Sequence, residues 1–146
     1  METLRLTNIG KHHLPNIPHD APLISITDRY SMAPVIPNRE KRPVLFVTFF
    51  PGDHLTVTER HEGMTPDLAK KIVKFVEENR DKKHIYVQCG EGRIRSWTIC
   101  SVLERMLDFT VHDTERATVK QGIVDKYTHH ILMSTIVDME QAGELL

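Results

Sequence analysis

Residues 83–107, KHIYVQCGEGRIRSWTICSVLERML, constrain the fold of this chain more than any other stretch. Ile85-Tyr86-Val87 is a short apolar run of β-formers, and Ile99, Val102, Leu103 and Met106 recur at helical spacing. The tight loop between them begins at Cys89, holds Gly90 and Gly92, and delivers Arg95 and Ser96 at the first helical turn. A strand, a glycine loop and a helix N-terminus in this order turn backbone N–H groups toward one point and form an anion cradle that fits a phosphate. The same N–H dipoles and the Arg95 guanidinium favour a thiolate at Cys89, which makes it the candidate nucleophile.

Cys89, five intervening residues and Arg95-Ser96, set between a strand and a helix, resemble the signature of cysteine-dependent phosphatases. The resemblance is closest to the small dual-specificity phosphatases and their phage and bacterial relatives. It implies hydrolysis of phosphomonoesters through a phosphocysteine intermediate, with phosphoproteins as the leading substrate class. A phospholipid, a nucleotide or an RNA 5′-phosphate would present the same group. It implies no cofactor and no metal, because the cradle supplies the charge compensation that Mg²⁺ supplies elsewhere. Cys89 would attack phosphorus, and the loop Gly90, Glu91, Gly92, Arg93, Ile94 and Arg95 would hold the phosphate oxygens. Ser96 would hydrogen-bond the sulfur. The family's general acid follows a strand about thirty to forty positions before the cysteine, and Asp53 after Pro51-Gly52 matches that placement. Glu59 and Glu62 lie on the same loop as alternatives.

Three loop positions depart from the family pattern. Gln88 stands in place of the usual histidine, Glu91 in place of alanine, and Ile94 in place of serine or glycine. Glu91 puts a carboxylate beside a dianion site, and the β-branched Ile94 is expected to be strained in a tightly turned backbone. These departures motivate a second reading, a phosphate-binding pseudophosphatase without turnover. A rhodanese-like sulfurtransferase, also built on a cysteine loop, is a third, although Arg95-Ser96 and Asp53 favour phosphate.

At 146 residues, with 40% hydrophobic and 27% charged residues, the chain is expected to form one domain spanning 1–146 with a sizeable core. A net charge of −1 gives no global attraction to nucleic acid or an anionic membrane, so any anion site is local. Residues 38–42, NREKR, form a basic stretch that reads as a solvated loop. With two cysteines and no segment resembling a signal peptide or a membrane span, a cytoplasmic protein with reduced thiols is expected. His12-His13, His19 and His129-His130 lack cysteines or carboxylates at ligand spacing, so no metal site is expected.

Residues 3–8 alternate apolar and polar and read as an edge strand; residues 23–28 read as a second strand. The apolar run at 43–50 suits a strand buried on both faces of a parallel sheet. Thr65-Pro66-Asp67 opens a helix as N-cap, first-turn proline and first-turn acid. Residues 108–122 read as a connection with a helical turn near 113–115. A last helix over 124–140 is expected to bury Val124, Tyr127, Ile131, Ile136 and Met139. Strands alternating with helices imply an α/β layer fold with a central, mainly parallel sheet flanked by helices and ligands bound beyond the strands' carboxyl ends, and the resemblance implies the three-layer phosphatase-like form of it.

Overall fold

The computed structural model describes residues 3–27, 33–113 and 123–145. It is an α/β fold of three layers around a five-stranded sheet whose pairings are all parallel. The strands are β1 (Leu4–Gly10), β2 (Leu23–Thr27), β3 (Val44–Thr48), β4 (His84–Cys89) and β5 (Thr110–His112), in spatial order β3-β2-β4-β1-β5. The helices are α1 (Pro66–Glu78), α2 (Arg95–Met106) and α3 (Lys126–Gln141).

Strand alternation divides the sheet into two differently covered faces. Leu4, Leu6, Ile24, Ile26, Val47, Ile85, Val87 and Cys89 face one side, where they share a core with Ile72, Val76, Ile99, Leu103, Leu132 and Ile136 from the three helices. Ile9, Leu23 and Tyr86 face the other side and pack against Leu14, Ile17 and Ile36 from a 3-10 helix (Lys11–Asn16) and irregular connections. Buried polar groups on this second face are paired: Ser25 Oγ donates to Gln88 Oε1 at 2.6 Å, and Thr7 Oγ1 lies 2.7 Å from a ring nitrogen of His84. Gln88 therefore points away from the Cys89 side chain, its carbonyl held by Ser25.

Four expectations are corrected. The first strand is interior, between β4 and β5, because the polar residues that made it look half-solvated, Thr7 and Asn8, are buried with partners. The run at 43–50 supplies an edge strand instead: Phe46 is 45% exposed, with the Arg39 guanidinium 5.1 Å above its ring, and among its residues Val47 and Phe49 enter the core. The supposed connection after residue 108 contains β5, whose three residues are too few to show a period; positions 114–115 of the expected helical turn lie outside the described residues. Finally, α3 buries Thr128, Leu132, Thr135, Ile136 and Met139, while Val124 is exposed and Tyr127 and Ile131 are half-buried. The threonines can face inward because Thr128 donates to Asp125 and Thr135 to the Ile131 carbonyl.

The basic stretch at 38–42 is only partly solvated. Arg39, Glu40 and Lys41 are exposed, but Arg42 is buried and ties two connections together through the carbonyls of Pro37 and Ala21, each at 3.0 Å. Among the described residues no helix is long and apolar enough to cross a membrane.

The expected N-cap of α1 is present: Leu68 N–H donates to Thr65 Oγ1 at 3.2 Å. Thr65→Ala should therefore cost about 1 kcal/mol of stability in urea unfolding. An unchanged midpoint would mean that solvent or Asp67 replaces the cap.

Candidate active site

Parallel pairing of β1 with β4 sets Gly10 beside Cys89 at the carboxyl end of the sheet. From there the loop of residues 90–94 turns into α2, and each of its anchored carbonyls is held from outside. Lys11 N–H donates to the Gly90 carbonyl at 3.0 Å, Asn8 Nδ2 to Gly92 at 2.7 Å, and Ile123 N–H to Arg93 at 2.8 Å. Thr98 donates to Ile94 through both its N–H, at 2.9 Å, and its Oγ1, at 2.7 Å.

In a trans peptide the C=O and the following N–H point in opposite directions, and no peptide among the described residues is cis. Carbonyls fixed outward therefore turn the N–H groups of Glu91, Arg93, Ile94 and Arg95 inward. Among the described residues, none of these N–H groups has a backbone acceptor. They border a cavity of about 290 Å³ lined by Pro51, Cys89, Gly90, Glu91, Arg93, Ile94 and Arg95. Roomier hollows lie elsewhere, one beside Thr3, Arg5, Lys83 and His84, but this one holds Cys89 and the inward N–H groups.

Cys89 is 3% exposed, and its Sγ lies 3.2 Å from Ser96 Oγ. The Arg95 guanidinium is held by the residue that follows β3: its Nη1 donates to the Phe49 carbonyl at 2.8 Å. Neither Cys89 nor Cys100 is in a disulfide. Cys100 is fully buried on α2, and burial, reinforced by the charges of Cys89 and Glu104, pushes its thiol well above the ordinary range, so it stays protonated. Ile94 adopts φ −113° and ψ −73°, so it is not left-handed; the left-handed position of the loop is Gly92, at φ 76°. Glu91 is exposed at the rim.

Asp53 is in a different place from the other sequence-predicted residues. It is absent from the cavity lining, and its carboxylate accepts from Lys126 N–H at 3.0 Å and Tyr127 N–H at 3.2 Å, where it caps α3. Asp125 returns the contact by accepting from Gly52 N–H at 2.6 Å and Asp53 N–H at 3.0 Å. Gly52 is required for this closeness, since a Cβ there would meet Tyr127 Cβ at 2.4 Å. Desolvation pushes the Asp53 carboxyl up, but the Lys126 and Tyr127 N–H groups, with the Lys126 charge, hold it below its ordinary value of 3.8. It is a helix-capping carboxylate kept ionised. Glu59 is also occupied, accepting from Thr56 N–H and Oγ1 in a capping box. Glu62 is half-buried, and neither glutamate borders the cavity.

Sequence reasoning missed the outer anchors Asn8, Thr98, Ile123 and Asp125. The available signal was a set of polar residues, Asn8 and Thr98 among them, at positions where strand and helix periods call for apolar ones. Among the described residues no group of three His, Cys, Asp or Glu could hold a metal ion. Comparison with family models, with curated proteins and with solved structures finds no match to this chain.

Two predictions come from this geometry. A Cβ on Gly92 would lie 2.5 Å from the Gly10 nitrogen, whereas one on Gly90 meets nothing within 4 Å. Gly92→Ala should therefore abolish oxyanion binding and Gly90→Ala leave the fold intact; equal effects in a tungstate titration would place the tight approach elsewhere. For Asp53, a folded pKa below the unfolded one means its stabilisation is complete above the unfolded value and lost as pH falls through the folded one. Asp53→Asn should lower Tm at neutral pH, with the gap closing below about pH 4. A gap independent of pH would show that the lost contribution is not that of the charge.

Proposed function

We propose that this chain hydrolyses phosphomonoesters through a phosphocysteine intermediate, like the small dual-specificity phosphatases its loop resembles. The observation that carries this reading is the outward anchoring of the loop carbonyls, which by peptide geometry turns the following N–H groups toward the cavity that Cys89 lines. Those N–H groups and the Arg95 guanidinium match the oxygens of a phosphate, the guanidinium as a planar fork that lysine lacks.

In the first step the Cys89 thiolate attacks phosphorus in line; the S–P bond forms, the ester P–O bond breaks, and the alcohol oxygen leaves with the electron pair. In the second, water attacks phosphorus and gives up a proton that reaches the departed alcohol oxygen through solvent, the S–P bond breaks, inorganic phosphate is released and the thiolate is regenerated. The Ser96 hydroxyl, 3.2 Å from the sulfur, donates to it as its negative charge returns. With Asp53 capping α3 and ionised, no carboxylic acid from that turn stands ready for the leaving oxygen. The reaction then favours leaving groups that need little protonation, so phosphotyrosine should be a better substrate than phosphoserine or phosphothreonine. A cytoplasmic setting, where thiols stay reduced, suits this use of Cys89.

Glu91 at the cavity and the occupied Asp53 favour a second reading, a phosphate-binding module with little or no turnover. An aryl phosphate assay separates the two. Under the first reading wild type turns over, Cys89→Ser is inactive yet still binds tungstate, and Arg95→Lys loses about 2–4 kcal/mol of transition-state stabilisation, the size of a lost oxyanion donor. Activity retained in Cys89→Ser would remove the cysteine from the mechanism. Tungstate binding by a wild type that turns over no ester would establish the second reading.

A further inference from the structure

Asn8 and His112 take no part in the chemistry above, yet they stand directly behind its loop. Parallel register pairs Leu6 of β1 with His112 of β5, and alternation puts Asn8 on the same helix-covered face, one pleat further along. Asn8 is fully buried. Its Nδ2 donates to the Gly92 carbonyl at 2.7 Å, and its Oδ1 lies 2.7 Å from His112 Nε2.

The proton placement follows from donor chemistry. A carbonyl only accepts, so the amide end facing Gly92 is the NH2; Oδ1 then faces the imidazole, and Nε2 carries the hydrogen. The ring is itself held on its other sides. Its Nδ1 lies 3.4 Å from Ser101 Oγ and the Trp97 ring meets it edge-on at 4.8 Å, while the His112 backbone N–H donates to Glu104 Oε2 at 2.6 Å.

We propose that Asn8 and His112 are positioning residues that fix the plane of the Gly92–Arg93 peptide and thereby aim the Arg93 N–H at the bound phosphate. The proposal rests on the cradle reading of the Cys89 loop. Gly92, at φ 76°, has no side chain to resist rotation of that peptide. Without an outside donor its carbonyl could swing into the cavity, where it would repel an anion instead of offering a hydrogen. Imidazole fixes which way the Asn8 amide faces, and Asn8 fixes which way the peptide faces. The effect is confined to one N–H, since the Glu91 N–H is set independently by Lys11 on the Gly90 carbonyl.

The test is an amide ¹H–¹⁵N titration of the full chain with tungstate. In wild type the Glu91, Arg93 and Ile94 amides should all shift. His112→Phe keeps ring volume without the donor, and Asn8→Leu removes the amide; each should lose most of the Arg93 shift, keep the Glu91 shift, and weaken tungstate binding tenfold or more. His112→Gln, whose amide can donate where Nε2 does, should stay within threefold of wild type. A merely structural role would lower Tm in all three variants without separating Arg93 from Glu91. Wild-type-like Arg93 shifts and affinity in folded His112→Phe and Asn8→Leu would overturn the proposal. So would a wild-type Arg93 amide that stays still while Glu91 and Ile94 move, a result that needs no variant. Wild type with no loop amide moving would instead overturn the cradle reading, and the proposal with it.

Discussion

The parallel pairing of β1 with β4 is the contact on which the rest of the site depends. It brings Gly10 against Cys89 and so places Asn8 and Lys11, from a segment distant in sequence, behind the loop they anchor. Each anchored carbonyl fixes one inward N–H, and leaving a buried carbonyl unpaired costs about 1–3 kcal/mol. The loop carbonyls are therefore held by partners within the protein itself. Close packing enforces the same arrangement: a Cβ on Gly10 would lie 3.0 Å from the Glu91 carbonyl oxygen.

A second network ties the far side of the loop to the turn after β3. Asp125 N–H donates to Thr98 Oγ1 at 2.9 Å, and that hydroxyl donates to Ile94, while the Asp125 carboxylate holds Gly52 and Asp53. Arg95 completes the tie through Phe49. The Cys89 loop and the 51–53 turn are thus one braced unit in which Asp53 serves α3. Its role as a cap and its lowered pKa have a common origin, the N–H groups at that helix end.

The local part of the site could be read from sequence because its signals are local. A β-former run, glycines and a helical period placed Cys89, Arg95 and Ser96, and the structure brings Cys89 and Ser96 to 3.2 Å. The α/β class followed from strands alternating with helices, and α1 from its cap. What could not be read was set by partners far along the chain. Asn8 looked like a solvated end of an edge strand because nothing near it reveals Gly92 or His112, and β5, which makes β1 interior, spans only Thr110–His112. Asp53 had the right spacing for an acid, but spacing does not record that the N-terminus of α3 would arrive beside it.

The central claim is that Cys89, cradled by loop N–H groups, forms a covalent bond to phosphorus. Rapid acid quench of wild type with an aryl phosphate, followed by peptide mass spectrometry and ³¹P spectroscopy, tests it most directly. The account predicts one phosphoryl group on the peptide holding Cys89, with the resonance of a phosphorus bonded to sulfur, and none in Cys89→Ser. Product release with no such adduct, or a phosphoryl group on Ser96 instead, would contradict it.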